Sequence, residues 1–419
     1  MEFFELRENQ KEVINTTSNF FKNNNSDIYL WAIKCRWGKT FAAYNLAKSF
    51  YNNKPMKILV LTYKPTVGKE WKDNLENHVY FKDWKYFTKD KKKSFLNSTA
   101  PVSVLFMSFQ SLILKDGASF DFKSDYYKWI GEVDFDFLFV DEAHFGASNP
   151  FCIDFCKNKI KAKYRLFMSG TPFTAVRNQY FKYYSAYDCT DEDNHLKLFH
   201  VKESISSRSK DIISFLKTTS HNHVICYVED VAACISMSHK LKGATEFKVI
   251  DCYGLAGSGG DAMVKRIQNS IAENKKTVTI TCGMTMTGTT IPQWDCILFY
   301  GCDYKYMPDS PSTFFQTLFR ITTPYKDKTN VSAYFFGKLE SIIFKYHEYS
   351  RCIAATKRIN FDTAFSNLIK ALPIIDDGEV VNYFKARLTV ASDSYKDYVS
   401  WYKQKMFLLG LSYDDAEVA

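Results

Sequence analysis

Short apolar runs alternate along the chain with amphipathic stretches. Parallel α/β proteins produce this pattern because helices cover both faces of each strand. DIYLWAIK (27–34) predicts a strand, followed by a Gly-Lys-Thr turn and a helix over FAAYNLAKSFY (41–51). KILVLTY (57–63), VSVLFMS (102–108), DFLFVD (136–141) and YRLFMSG (164–170) predict further buried strands. A polar stretch around 188–210, with TDEDNH and SISSRSK, breaks the pattern. The pattern then restarts with helix DIISFLKTT, strand HVICYV, helix VAACISMSHKLK, strand KVIDCYG, a Gly-rich turn, helix AMVKRIQNSIAE and strand TVTITC. WDCILFYG and VSAYFFG add two strands, and beyond about 346 the chain becomes helical and aromatic without strand alternation. The expected organisation is an α/β domain over 1–190, a linker over 191–205, a second α/β domain over 206–345 and a helical region over 346–419.

Composition narrows the class. Of 419 residues, 46% are apolar and 17% aromatic, too many for a disordered chain, and 17 Gly with 10 Pro exclude collagen-like sequences. No apolar run reaches the roughly 18 residues needed to span a bilayer. The N-terminus MEFFELRENQ carries acids where a signal peptide would be basic, so a cytoplasmic protein with no membrane partner is expected. The 11 cysteines are odd in number and mostly sit in apolar runs, as do Cys226 and Cys296. Cys152 and Cys156 share a helical face but lack a second pair to complete a zinc set, so structural thiols are expected. A net charge of +9 is a mild pointer to a polyanionic partner.

The chemistry gathers at predicted strand ends. Ile33-Lys34-Cys35-Arg36-Trp37-Gly38-Lys39-Thr40 lies between a strand and a helix. A phosphate-binding loop needs backbone N–H groups at a helix N-terminus, a lysine for the outer phosphates and a hydroxyl for Mg²⁺. Gly38, Lys39 and Thr40 supply that end of the motif, although Ile33 replaces its first glycine. An ordinary strand–turn–helix with a surface lysine is the alternative. Asp141-Glu142-Ala143-His144 closes the run FDFLFV, at the strand edge where α/β sheets bind ligands. There Asp141 could hold Mg²⁺, and Glu142 could orient or deprotonate a water attacking a γ-phosphate. A carboxylate pair capping the next helix is the bland reading. Ser169-Gly170-Thr171-Pro172 follows the next strand. The second half offers Thr287-Gly288-Thr289-Thr290-Ile291-Pro292 and Gln316-Thr317-Leu318-Phe319-Arg320.

In this order the segments resemble the DEAD/DEAH-type superfamily 2 helicases and translocases. GKT is similar to motif I, DEAH to motif II, SGT to motif III, MTGTTIP to motif V and QTLFR to motif VI. Leu6-Arg7-Glu8-Asn9-Gln10 resembles the adenine-contacting segment before motif I, LTYKPTVGKEW (61–71) resembles motif Ia, and FMSFQSL (106–112) stands where the next nucleic-acid-binding segment lies. The resemblance spans roughly residues 4 to 340. It implies two tandem RecA-like domains, parallel sheets flanked by helices, with a small helical C-terminal region, and it implies ATP and Mg²⁺ as cofactors.

Residue by residue, the resemblance implies that Arg7, Gln10, Gly38, Lys39, Thr40 and Gly288 bind ATP and that Thr40 and Asp141 serve Mg²⁺. Glu142 would be the catalytic base, with Gln316 and Arg320 reaching toward the γ-phosphate from the second domain. Arg320 would act as a finger that neutralises transition-state charge when the domains close. Ser169 and Thr171, through His144, would couple ATP to the nucleic-acid path. Lys64, Thr66, Lys69, Ser108, Gln110 and Thr287 would contact nucleic acid. Three departures stand out. Arg36 occupies a usual glycine position, Phe319 and Thr323 replace a glycine and a second arginine of motif VI, and Thr290 replaces an acidic or amide residue. Such variants resemble the restriction-type and phage-encoded DNA helicases; for a phage-encoded member the compartment would be the host cytoplasm. Weakened ATP hydrolysis is the other reading.

The resemblance favours an ATP-dependent helicase or translocase acting on single-stranded, duplex or branched DNA. RNA is the second option, because the span from Pro292 to Gln316 leaves no room for a long strand-splitting hairpin. The motor subunit of a restriction or defence complex and an ATP-regulated nucleic-acid-binding or assembly factor stay open. A nuclease does not, since Glu246-Phe247-Lys248 lacks a preceding Pro-Asp. FKDWKYFTKDKKKSF (81–95) mixes lysines with aromatics as a phosphate- and base-contacting segment would, with a solvated loop as the alternative. GLAGSGG (254–260) reads as a connecting turn. KYHEYSRCIAATKR (345–358) reads as a helix packed on the second domain, with a protein partner or duplex contact as the other uses of the C-terminal region.

Overall fold

The computed structural model describes residues 4–23, 26–62, 67–116, 119–141, 143, 150–170, 176, 181–191, 196–202, 208–252, 260–282, 291–302, 311–323, 325–326, 328 and 330–408. They fall into two compact units, Met1–Asp188 and Cys189–Ala419. Among the described residues no helix is long and apolar enough to cross a membrane.

The first unit runs α1 (Glu8–Asn23), β1 (Ile28–Ile33), α2 (Lys39–Lys48), β2 (Met56–Thr62), α3 (Gly68–Glu76), β3 (Lys85–Thr88), α4 (Lys92–Leu96), β4 (Val102–Ser108), α5 (Phe109–Leu112), β5 (Ile113–Asp116), β6 (Ser119–Phe122), β7 (Phe135–Asp141), α6 (Pro150–Asn158), β8 (Ala162–Ser169) and β9 (Tyr184–Tyr187). Seven strands form one parallel sheet in the order β3-β4-β2-β7-β8-β1-β9, and β5 pairs with β6 as a separate hairpin. The central strands read as continuous apolar runs because both faces are buried. Successive side chains alternate between two cores. Trp31, Ile33, Ile58, Val60, Phe137 and Phe139 fill one, while Leu30, Ala32, Leu59, Leu61, Leu138 and Val140 fill the other.

The second unit runs β10 (Leu196–Val201), α7 (Arg208–Thr218), β11 (His223–Tyr227), α8 (Val231–Leu241), β12 (Lys248–Asp251), α9 (Gly260–Glu273), β13 (Thr277–Thr281), β14 (Cys296–Cys302), α10 (Pro311–Leu318), β15 (Val331–Gly337), α11 (Leu339–Lys357), α12 (Phe361–Ala371), β16 (Ile374–Asp376), β17 (Glu379–Val380), α13 (Tyr383–Val390) and α14 (Asp393–Leu408). Its sheet has the order β12-β13-β11-β14-β15-β10-β16-β17, parallel except for the last pair. The two α/β units in tandem, followed by a mainly helical region, agree with the RecA-like architecture expected.

Three details differ from the sequence reading. The stretch 191–205 contains β10, a strand of the second sheet with Leu196 and Leu198 fully buried; Lys197 and His200 disguise it as polar. The C-terminal region is not purely helical, because β16 extends the sheet beside β10 and turns back through Asp377-Gly378 into β17. Both turn residues have positive φ (49° and 82°), the conformation a two-residue hairpin needs. In 81–95 the rings of Phe81, Phe87 and Phe95 are core residues, so stacking on bases is closed to them, while Lys89, Lys91 and Lys93 stay exposed. The cysteines match the structural reading. Cys152 and Cys156 are buried on α6, and burial alone pushes the Cys226 thiol up to about 12. No group of metal-ligating side chains is found among the described residues.

Candidate active site

The register of the first sheet brings three strand ends together. β8 lies between β1 and β7, with Ser169 opposite Ala32 and Phe167 opposite Val140. The loop after β1, Asp141 at the end of β7 and Ser169-Gly170 at the end of β8 therefore share one edge.

The loop 34–38 turns through two left-handed residues, Arg36 (φ 65°) and Gly38 (φ 86°). Arginine tolerates this conformation less well than glycine, so the departure noted at Arg36 is accommodated in the backbone rather than avoided. Gly38 caps α2 without a side-chain hydrogen bond, and the first turn of α2 carries no acid. Its N–H groups and dipole therefore face the loop as an electropositive end. The Lys39 ammonium donates to the carbonyls of Ile33 (3.2 Å) and Lys34 (3.1 Å), which holds it over the loop. Thr40 follows, buried at 6% exposure.

α1 is pinned to the same loop. Gln10 Nε2 donates to Trp37 O (2.8 Å), the Arg7 guanidinium donates to the same carbonyl, and Gln10 Oε1 accepts from the Arg7 N–H (2.9 Å). A Cβ on Gly38 would stand 2.8 Å from Gln10 Nε2, so the glycine serves both the turn and this approach. On the other side, a Cβ on Gly170 would meet Cys35 Sγ at 2.6 Å. Gly170 thus lies directly against the loop after β1.

Asp141 is 8% exposed, and its Oδ2 accepts from the Trp71 indole N–H at 2.9 Å. Trp71 is fully buried on α3, stacked on Phe139, and its carbonyl accepts from the Tyr44 hydroxyl of α2 (3.0 Å). Burial drives the Tyr44 hydroxyl well above its ordinary value, so it stays a donor. A hydroxyl and a carboxylate are the hard oxygen donors that suit Mg²⁺, so Thr40 and Asp141 fit the ion that the sequence implies.

The other candidates scatter. Ser108 ends β4, two strands from β7, and its hydroxyl accepts from the Ser111 N–H (3.3 Å) as the cap of α5. Gln110 and Lys69 are exposed. In the second unit Gln316 is half-buried on α10, and Arg320 sits in the 3₁₀ turn Phe319–Thr322 at 9% exposure. Phe315 stacks on Tyr349 of α11 at 4.0 Å, which makes 345–358 a packing helix behind α10. Glu142, His144, Thr171, Lys64, Thr66, Thr287, Gly288 and the GLAGSG stretch lie outside the described residues. Sequence reasoning gave no role to Trp71, Cys35 or Lys328. The Lys328 ammonium donates to the carbonyls of Pro292 (2.7 Å), Trp294 (3.2 Å), Ile321 (2.9 Å) and Thr323, joining the ends of the motif V and motif VI segments. A lone lysine in a polar loop carries no pattern that would announce this.

Residues 3–174 match the family described as "Type III restriction enzyme, res subunit". A curated relative from Mycoplasma pneumoniae, a putative type II restriction enzyme and methyltransferase C-terminus, is 24% identical over 89% of this chain and 70% of its own length. Among solved structures, Saccharomyces cerevisiae Dbp5 bound to RNA and ADP BeF3 is similar over 87% of this chain and 93% of its own (TM-score 0.53, 14% identity). The ATP-dependent Type ISP restriction-modification enzyme LlaBIII bound to DNA is similar over 88% of this chain and 30% of its own (TM-score 0.55, 13% identity). Mycobacterium smegmatis helicase Lhr bound to ssDNA and AMP-PNP covers 91% of this chain and 55% of its own (TM-score 0.51, 12% identity). In its ordered motifs, its tandem α/β units and the match over residues 3–174, the chain is similar to superfamily 2 helicases and restriction-type enzymes, and its fold is the one those solved structures share.

Proposed function

We propose that the chain couples Mg²⁺-dependent ATP hydrolysis to movement on, or remodelling of, DNA. The observation that carries this reading is the shared edge where Lys39, the open N-terminus of α2, Asp141 and Ser169-Gly170 stand side by side. The α2 N–H groups and Lys39 hold the phosphates; a charged phosphate outcompetes the two neutral carbonyls on which the ammonium rests. Thr40 and Asp141 hold Mg²⁺, which neutralises phosphate charge when bound. Glu142 orients the attacking water, and Gln316 and Arg320 from the second unit stabilise the charge that develops on the γ-phosphate. Arg7 and Gln10 fix the loop beside the adenine side of the nucleotide. Ser169 and Thr171, with His144, pass the state of the site to the nucleic-acid path, and Lys64, Thr66, Lys69, Ser108, Gln110 and Thr287 grip the strand. The restriction-type relatives favour DNA as the track, and a restriction or defence complex as the setting.

The RNA-bound Dbp5 neighbour keeps RNA as the second reading. Steady-state ATP hydrolysis with Mg²⁺, measured alone and with single-stranded, duplex and forked DNA and with RNA, separates the two. Strong stimulation by one DNA form is expected. Stimulation by RNA alone would reverse the choice of track, and turnover unaffected by any nucleic acid would overturn the motor reading.

A further inference from the structure

We infer that Trp71 is a positioning residue for the metal-binding carboxylate: its indole N–H fixes the rotamer of Asp141, while its carbonyl and ring, held by Tyr44, tie it to the helix that begins with Lys39. This rests on the reading of Asp141 as a Mg²⁺ residue. The contact joins two fully or nearly buried groups, the indole N–H to Asp141 Oδ2 at 2.9 Å, at the end of the β7 run that leads into the acidic motif.

A carboxylate buried at a strand end must have donors, and one that also serves a metal must keep an orientation. The indole ring cannot drift, because it is stacked on Phe139 of the strand that bears Asp141 (5.9 Å between centroids) and meets Tyr44 edge-on (5.1 Å). Its backbone is held too, since the Tyr44 hydroxyl donates to Trp71 O. Tyr44 lies on α2, the helix that begins with Lys39 and Thr40. One residue of α3 therefore fixes the distance between the helix that binds phosphate and the strand end that binds metal. Among aromatic residues, phenylalanine could fill most of this volume but has no N–H to donate.

Trp71→Phe is the test, read without turnover. Binding of a fluorescent non-hydrolysable ATP analogue is titrated with Mg²⁺ in the parent, in Trp71→Phe, in Asp141→Asn and in the double variant. Trp71→Phe should raise the Mg²⁺ concentration for half-maximal binding about tenfold and leave metal-free nucleotide binding unchanged. The effect should vanish in the Asp141→Asn background, because a group acting through Asp141 has nothing left to orient. A Mg²⁺ titration identical to the parent's, or an equal shift with and without Asp141, overturns the inference while leaving the metal assignment intact. If Asp141→Asn itself leaves the Mg²⁺ dependence unchanged, the metal reading fails and takes this inference with it. Should Trp71→Phe not fold, the parent labelled at its indole nitrogens serves instead. One and the same indole N–H resonance should move on Asp141→Asn and on adding Mg²⁺ to the nucleotide complex, and two unrelated resonances would refute the link.

Discussion

The C-terminal strand edges of the two sheets are built to opposite ends. In the first unit the edge carries an uncapped helix N-terminus, a lysine resting on neutral carbonyls and a carboxylate held by an indole. In the second, polar side chains and a backbone carbonyl at the ends of β10, β15 and β16 satisfy one another. His200 Nδ1 faces Asp376 Oδ1 (2.7 Å), His200 Nε2 faces Gly337 O (2.7 Å), and Lys385 donates to Asp376 Oδ2 (2.8 Å). Fold and strand direction are the same, so the difference lies in what each strand end is given as partners. One edge presents a helix N-terminus without a side-chain cap or an acid in its first turn, while the other locks the C-terminal hairpin onto the sheet.

The largest effect that would break this contrast comes from Lys39→Ala. It should lower nucleic-acid-stimulated ATP turnover by about 10²–10³-fold while leaving the melting transition near the parent's. His200→Ala should do the reverse, destabilising the second unit and sparing nucleotide binding. If Lys39→Ala hydrolyses ATP normally, the first edge is not the nucleotide site.

A smaller but sharper test lies in the contact between the ends of β1 and β8. Gly170→Ala places a methyl group 2.6 Å from Cys35 Sγ and should displace the loop after β1, cutting turnover by about ten- to a hundredfold. The sulfur is the only side-chain atom among the three nearest atoms to that methyl; the next is Cys35 N at 3.3 Å. Adding Cys35→Ala should therefore restore most of the loss. Failure of Cys35→Ala to rescue would show that Gly170 is required for some other reason.

How far all this was legible in the sequence follows from the same two edges. The first unit's strands announce themselves because burial on both faces makes them continuous apolar runs, and Gly38-Lys39-Thr40 and Asp141 fall at their ends in the order the resemblance implies. What brings them together is the placement of β8 between β1 and β7, and sequence order does not state which strands are neighbours. Trp71 was in plain view inside LTYKPTVGKEW, yet its partner lies seventy positions away. The hairpin at 374–380 was legible and overlooked. Asp377-Gly378 between Ile374-Ile375 and Val380-Val381 is a strong short-range hairpin signal, hidden only by the surrounding helical pattern. β10 offered less, since an edge-like mixture of Lys197 and His200 with two leucines carries no clear period.

The closed edge makes its own predictions. His200 and Asp376 are both nearly buried, so His200→Ala leaves a carboxylate short of a partner and should cost about 1–3 kcal/mol in urea unfolding. The hydrogen bond from Lys385, and after it that from His200, holds the Asp376 carboxyl below the ordinary aspartate range. A depressed carboxyl contributes stability that is present above the unfolded value of about 3.9 and lost as pH falls through the lower folded value. From about pH 5 downward, the stability margin of the parent over Asp376→Asn should shrink; a margin that widens with acid would reverse the assignment.

Lys202 is the mildest case and sharpens the rest. It pairs with Asp377 in the same hairpin turn, but both side chains are well exposed, 66% and 69%. Water and salt screen such a pair, and ordering a long lysine side chain offsets what attraction is left. Lys202→Ala should therefore leave the urea midpoint within experimental error at physiological salt. If it destabilises the unit as much as His200→Ala, the hairpin is held by its exposed turn rather than by the buried His200–Asp376 contact. The contrast between an open edge and a locked one would then have to be redrawn around Asp377.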